Sequence, residues 1–318
     1  MTHQSSLTHI ISRLSWLGCL AVVGWLTGIG SALAAQHPSI VPHDINRRGI
    51  RTAPTTGSTN AVSNPIAYYG GDLIQTPTVY VIWYGNWNST DGSDTPAGQQ
   101  IVRDFLNSIG GSPYFNINKT YSTNGFNITG KVIFGGEYFD SGSSGTTLRD
   151  SSFLTIVNHA LTVGTATNKA LPYNPDGVYF VLTSAANINY SGFCSQFCGW
   201  HSSDYVNAGQ ARYSFVGNAK KCLSSCSAQS VNSPNGNPGV DGMVSVIAHE
   251  LEETVTDPEI GWWDAVGYEN ADKCAWTFGK TLTLPSGAYY NVTLGSRNYL
   301  IQRNLIRAAN GSNYCVMQ

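Results

Sequence analysis

Charge is what this sequence has least of. Charged residues make up 11% of its 318 positions, against roughly a quarter in an ordinary globular chain. The few that exist nearly cancel, with 17 Lys and Arg against 19 Asp and Glu. No broad basic surface is available to neutralise a phosphate backbone, so nucleic acid is excluded as a partner. There is no Gly-rich phosphate loop behind a strand and no Gly-x-Ser-x-Gly elbow, so nucleotide binding and serine-hydrolase chemistry lack their motifs. Beyond residue 30 no apolar run approaches the ~20 residues that a membrane helix needs. Internal repeats are also missing. What the chain does have is a 42% hydrophobic content with 34 Gly and many Asn, Ser, Thr and Tyr. That composition supports a packed, loop-rich domain and argues against a coiled coil or a disordered polyelectrolyte.

The N-terminus reads as an export signal. Arg13 precedes an apolar run over residues 14–30, and Ser31-Ala32-Leu33-Ala34-Ala35 offers small residues for cleavage. Residues 1–35 are therefore expected to be a signal peptide, and residues 36–65, rich in Pro, Ser, Thr and Asn, a flexible segment. The folded domain is expected over 66–318, in a secreted, extracellular protein that does not span the membrane once the signal is cleaved. Six Asn-x-Ser/Thr sequons, at Asn88, Asn118, Asn127, Asn189, Asn291 and Asn310, suggest a glycoprotein.

Cys19 leaves with the signal. Cys194, Cys198, Cys222, Cys226, Cys274 and Cys315 remain, an even number that in an oxidising compartment implies three disulfides. Two Cys-x3-Cys pairs also admit a four-thiolate zinc site. Cys274 with Cys315 is a plausible staple, but spacing leaves the connectivity open.

The hydrophobic pattern predicts strands over Val79–Tyr84, Lys131–Phe139, Gly177–Thr183 and Tyr213–Val216. It predicts helices over residues 96–109, capped by Thr95 with Pro96 in the first turn, and over Leu148–Val163 and Val240–Thr256. From Ala275 onward strand-like runs alternate with turns. Strands interleaved with helices give an α/β fold: a single layered domain with a mixed sheet.

The third helix carries the chemistry. It contains His249-Glu250-Leu251-Glu252-Glu253, a His-Glu-x-x-Glu motif. In His-Glu-x-x-His zinc hydrolases the two ligands, four residues apart, leave one helix face, and the intervening Glu reaches the metal-bound water as general base. Here Glu253 stands at the second ligand position, and a carboxylate is a legitimate zinc ligand. His249 and Glu253 are thus metal-ligand candidates on a zincin-like active helix, with Glu250 as the catalytic base. For the third ligand Asp272, nineteen residues after Glu253, and Glu269 rank above Asp257, which Pro258 places at the helix end. Zinc is the expected cofactor and calcium the alternative. The competing reading is a plain acidic face turned to solvent opposite a stripe of Val244, Ile247, Ala248, Leu251 and Val255. His201 and Trp263 are candidate substrate-binding residues, His201 lining a cleft beside the cysteine staple or lying at the surface, and Trp263 stacking on a sugar or packing in the core. The substrate class is an extracellular peptide or a cell-wall polymer.

Several blocks together resemble the plant EXORDIUM, or phosphate-induced protein 1, family: Tyr69-Gly70-Gly71, Val79–Tyr84 with Trp87, Gly192-Phe193-Cys194 to Cys198-Gly199-x-His201, Phe215-Val216-Gly217-Asn218, Cys222 to Cys226, Pro234-Asn235-Gly236 and Gly239-Val240-Asp241-Gly242-Met243. The chain reads as a divergent member retaining His249-Glu250-x-x-Glu253. The resemblance implies a cell-wall protein linked to growth control, without an established catalytic activity, and six framework cysteines. Three classes of function follow: a zinc-dependent, peptidase-like hydrolase, a non-catalytic wall or growth-signalling protein, and a carbohydrate-binding module.

Overall fold

A computed structural model describes residues 64–123 and 125–318. The expected signal peptide and almost all of the expected flexible segment lie outside the described residues. Five strands form the central sheet: β1 (Thr78–Tyr84), β2 (Ile133–Asp140), β3 (Gly177–Thr183), β4 (Gly199–Val206) and β5 (Gly209–Gly217). Their order is β2-β1-β3-β5-β4, parallel throughout except for β4, which runs antiparallel to β5. The mixed sheet and the α/β class are as the sequence pattern predicts.

The strands form where both faces can be covered. In β1 every residue after Thr78 is buried, as expected of a parallel strand between two neighbours. The pleat sends Val79, Val81 and Trp83 to one side with Val178, Phe180 and Leu182 of β3. Tyr80, Ile82 and Tyr84 go to the other with Tyr179, Val181 and Phe215. Helix α1 (Pro96–Ile109) starts where Thr95 accepts a hydrogen bond from the Gly98 N–H at 3.0 Å, and it buries Ile101, Val102, Phe105, Leu106 and Ile109 on the first side. Helix α2 (Asp150–Thr162) covers the second side with Phe153, Ile156, Val157 and Ala160. Helix α3 (Pro238–Thr256) packs beside α1. Its capping residue is Asn237, whose side chain accepts from the Val240 N–H, so the helix begins two residues before the position predicted from its apolar periodicity.

Strand β4 was not predicted. Its sequence, Gly-Trp-His-Ser-Ser-Asp-Tyr-Val, lacks a long apolar run, and pairing with β5 across Asn207-Ala208 makes the strand. Residues 282–316 form a series of antiparallel hairpins, Leu282–Thr283 with Tyr289–Tyr290, Val292–Leu294 with Arg297–Tyr299, and Asn304–Arg307 with Asn313–Val316.

The six cysteines pair as Cys194–Cys222, Cys198–Cys226 and Cys274–Cys315, with Cα separations of 5.6, 5.4 and 5.5 Å, inside the usual disulfide window. The four-thiolate zinc alternative is thereby overturned, because no thiol is left to ligate. The sequon expectation is corrected in part. Asn118 is fully buried and its side-chain oxygen accepts from Asn270 and Asn304, and the Asn291 amide nitrogen donates to the Phe278 and Ile301 carbonyls. Asn88, Asn127, Asn189 and Asn310 are exposed. No described helix is long and apolar enough to cross a membrane.

Candidate metal centre

Helix α3 is not a surface helix. From Gly239 to Thr256 every residue is buried, and His249, Glu250, Glu252 and Glu253 are at most 1% exposed. The solvated acidic face weighed in the sequence is therefore overturned. The side of α3 that carries Val240 faces Gly98 of α1, Val246 and Glu250 lie against Gly199 of β4, and the chain that follows the helix covers Glu253 through Asp272.

Three elements bring side chains to that polar side. Helix α3 contributes His249, Glu250 and Glu253. Strand β4 contributes His201, 5% exposed; its neighbour Trp200 packs on the opposite face against Phe153 and Phe215, so the alternation of the strand turns His201 toward α3. The segment after α3 contributes Glu269 and Asp272. The helix ends at Thr256, and the Asp257 carboxylate accepts from the Gly261 N–H at 2.5 Å, which holds the reversal that returns the chain over the helix.

Two local features fix these positions. A side chain on Gly199 would put its Cβ 2.6 Å from Val246 Cγ1 and 3.0 Å from Glu250 Oε1, so glycine lets β4 lie directly on α3. The disulfides flank the contributing segments: Cys198 precedes His201 by three residues and is tied to Cys226, and Cys274 follows Asp272 by two and is tied to Cys315.

The donors converge. His249 Nε2 lies 3.0 Å from Glu253 Oε1 and 3.5 Å from Asp272 Oδ1. Ligands about 2.0–2.1 Å from one tetrahedral zinc stand roughly 3.3 Å apart, so a single ion could span these three groups. The Asp272 backbone N–H donates to Glu253 Oε1 at 2.9 Å and orients that carboxylate. His201 Nε2 lies 3.3 Å from Glu269 Oε2. One ligand atom from each of His249, Glu253 and Asp272 falls within 4.8 Å of the others, and the same holds for His201, Glu250 and Glu253. Glu250 Oε1, Glu253 Oε2 and His249 Nδ1 are buried with no hydrogen-bond partner.

Electrostatics follow from burial. Desolvation pushes the Glu253 carboxyl up to about 7, helped by the Asp272 charge and opposed by His249. Burial drives Glu250 and Glu269 well above the carboxylate range, and nearby acids add to it. Burial alone would lower His249, but Glu253, Asp272 and Glu250 outweigh it and hold the imidazole well above its ordinary value. Asp257 is raised to about 6 by burial. Dehydrated acids crowded in this way are stable only when protonated or when a cation compensates them.

Of the residues singled out in the sequence, His249, Glu250, Glu253, Glu269 and Asp272 come together. His201 joins them from inside the fold, not from the surface. Asp257 stays at the helix end, outside both trios, as Glu269 is, and its side chain shares a hydrogen bond with Glu269. Trp263 also lies outside them, half-buried on a two-residue strand paired with Ala67–Tyr68, its ring 5.2 Å from Tyr69. The sequence reading missed Glu252, fully buried and receiving a hydrogen bond from Asn304 at 2.6 Å. Its burial comes from a hairpin 52 residues away, and no local signal marks it.

A family model described as the phosphate-induced protein 1 conserved region matches residues 66–302. In Arabidopsis thaliana, Protein EXORDIUM-like 3 is 33% identical over 77% of this chain and 81% of its own length, and Protein EXORDIUM-like 5 is 32% identical over 66% and 61%. Protein EXORDIUM-like 4 is 26% identical over 76% and 86%. No solved structure matches the chain.

Proposed function

The chain belongs to the phosphate-induced protein 1, or EXORDIUM-like, family, and from that premise and the buried cluster we propose that it is an extracellular zinc-dependent hydrolase acting on a peptide or another wall-associated polymer. The carrying observation is the convergence of His249, Glu253 and Asp272 on one point beside an unpartnered oxygen of Glu250. In this reading α3 is a zincin-like active helix. Bound zinc would supply Lewis acidity. Glu250 takes the proton of the attacking water and delivers it to the leaving amine. Its place on the helix one residue after His249, with Oε1 buried and unpartnered, suits that task. Three disulfides suit an oxidising, extracytoplasmic compartment. Trp263, half-buried beside Tyr69, is the aromatic group offered to a substrate.

A second reading is favoured by one observation: His249, Glu250 and Glu253 are all at most 1% exposed. A donor set so fully enclosed suits a cation that braces the fold in a non-catalytic wall or growth-signalling protein. Protein loaded with zinc and assayed on a mixed peptide library separates the two. The hydrolase reading expects cleavage that falls about 100-fold or more in Glu250→Gln, in line with the usual contribution of a general base, while the zinc of His249, Glu253 and Asp272 stays bound. Stoichiometric zinc with no Glu250-dependent cleavage supports the bracing role instead.

A further inference from the structure

The cluster holds more ligand atoms than one ion can use. His249 and Asp272 lie on one side of Glu253, and His201 and Glu250 make a second trio with the same Glu253. We propose that the centre binds two divalent cations bridged by the Glu253 carboxylate, the second held by His201, Glu250 and Glu253 with Glu269 completing the set. The inference rests on the reading of the cluster as a cation centre and not on hydrolysis.

Three observations carry it. Glu253 presents its two oxygens differently: Oε1 faces His249 and the Asp272 N–H, and Oε2 is buried without a hydrogen-bond partner. Glu250 Oε1 is also buried and unpartnered, and Glu250 is a member of the second trio. Such atoms are costly unless something meets them. Glu269 places Oε2 3.3 Å from His201 Nε2, so a fourth donor is at hand.

Charge makes the same argument. Glu250, Glu253, Glu269 and Asp272 carry four negative charges when ionised. One divalent ion leaves two of these four uncompensated in a nearly dry volume and two divalent ions balance them, while the buried Glu252 and Asp257 lie beside the set as further acids. The first position would have one imidazole and two carboxylates, the second one imidazole and up to three. Mixed nitrogen and oxygen donors of this kind suit zinc, manganese or iron rather than a thiophilic ion. A carboxylate bridging two ions sets them about 3.5–4 Å apart, as in other paired-metal sites.

The test is a metal count on the full-length secreted protein, saturated with zinc, dialysed against metal-free buffer and analysed by inductively coupled plasma mass spectrometry. The expected result is two zinc per chain, falling to one in His201→Ala and to one in Glu250→Gln. The same preparations loaded with manganese should show a spin-coupled electron paramagnetic resonance signal in the wild type that becomes a single-ion signal in His201→Ala. One zinc in the wild type overturns the second position and leaves the first standing. A wild-type count of two that persists in folded His201→Ala also overturns it, because the second ion is then elsewhere. A count of zero removes the cation centre altogether. Should a variant fail to fold, the manganese signal of the wild type decides: spin coupling supports two ions sharing a bridge, and its absence at a count of two overturns the bridged pair.

Discussion

The two faces of the central sheet are built on different terms. On the α2 face, Phe153, Ile156 and Val157 pack against Tyr179, Val181 and Phe215, with Trp200 and Tyr190 closing the layer. On the α3 face, the same kind of apolar packing by Val244, Ile247 and Leu251 comes with Glu250, Glu252, Glu253, Glu269, His249 and His201, all buried. The first face needs only shape and hydrophobicity, and substitutions there act through lost contacts. The second is favourable only in company with protons or metal. The difference teaches that α3 is not buried for stability alone, since a plain apolar helix in its place would avoid the desolvation cost.

The contrast can be broken or sharpened experimentally. Phe153→Ala, on the apolar face, should cost about 3–5 kcal/mol and lower Tm by about 10 °C in calorimetry, equally with and without chelator. An effect that depends on chelator would break the comparison. Chelation of zinc-saturated protein at pH 7 should be the next largest effect. Removing free zinc held at 100 to 1,000 times its Kd withdraws about 3–4 kcal/mol, which calorimetry reads as a Tm lowered by roughly 8 °C.

Acidity should separate the faces further. In metal-free protein the folded-state pKa values of Glu253, about 7 against 4.5, and Asp257, about 6 against 3.8, are raised. The native state then binds more protons than the unfolded one in these windows, so stability falls as pH rises from about 4 to 7. His249, also raised, gives stability present below its unfolded value and lost on further rise of pH through its folded one. The three act in the same direction. Metal-free Tm should drop by at least about 5 °C between pH 4.5 and 7, and Glu253→Gln should flatten the slope. A metal-free Tm that rises over that range contradicts the picture. The smallest effect belongs to the surface. Arg297 Nε and Asp104 Oδ2 lie 2.6 Å apart with side chains 29% and 35% exposed, so Asp104→Asn should cost no more than about 1 kcal/mol, a shift of ~2 °C.

Much of this architecture could be read without coordinates. Thr95-Pro96 and the spacing of Ile101, Phe105 and Ile109 mark α1, and Gly177–Thr183 matches β3 at both ends, because caps and apolar runs are local signals. The pairing of Cys274 with Cys315 was among the legible possibilities, whereas the parallel pairing of the two Cys-x3-Cys blocks depends on how β4 meets the turn before α3. His249, Glu250 and Glu253 were legible from helical spacing, and Asp272 from its distance of nineteen residues past Glu253. The contribution of His201 to the same cluster was not, since it depends on β4 pairing with β5 and turning one face toward α3. Burial of α3 on every side was equally hidden. Its charged positions look like a solvent face until Glu269–Asp272 folds back over them.

The central claim is that His249, Glu253 and neighbouring acids, not cysteines, hold a cation inside the fold. X-ray absorption at the zinc edge on zinc-loaded protein tests it most directly. Nitrogen and oxygen ligands at about 2.0–2.2 Å, with outer-shell scattering from imidazole that weakens in His249→Ala, are the result expected. Sulfur at about 2.3 Å, or protein that retains no zinc, would contradict it.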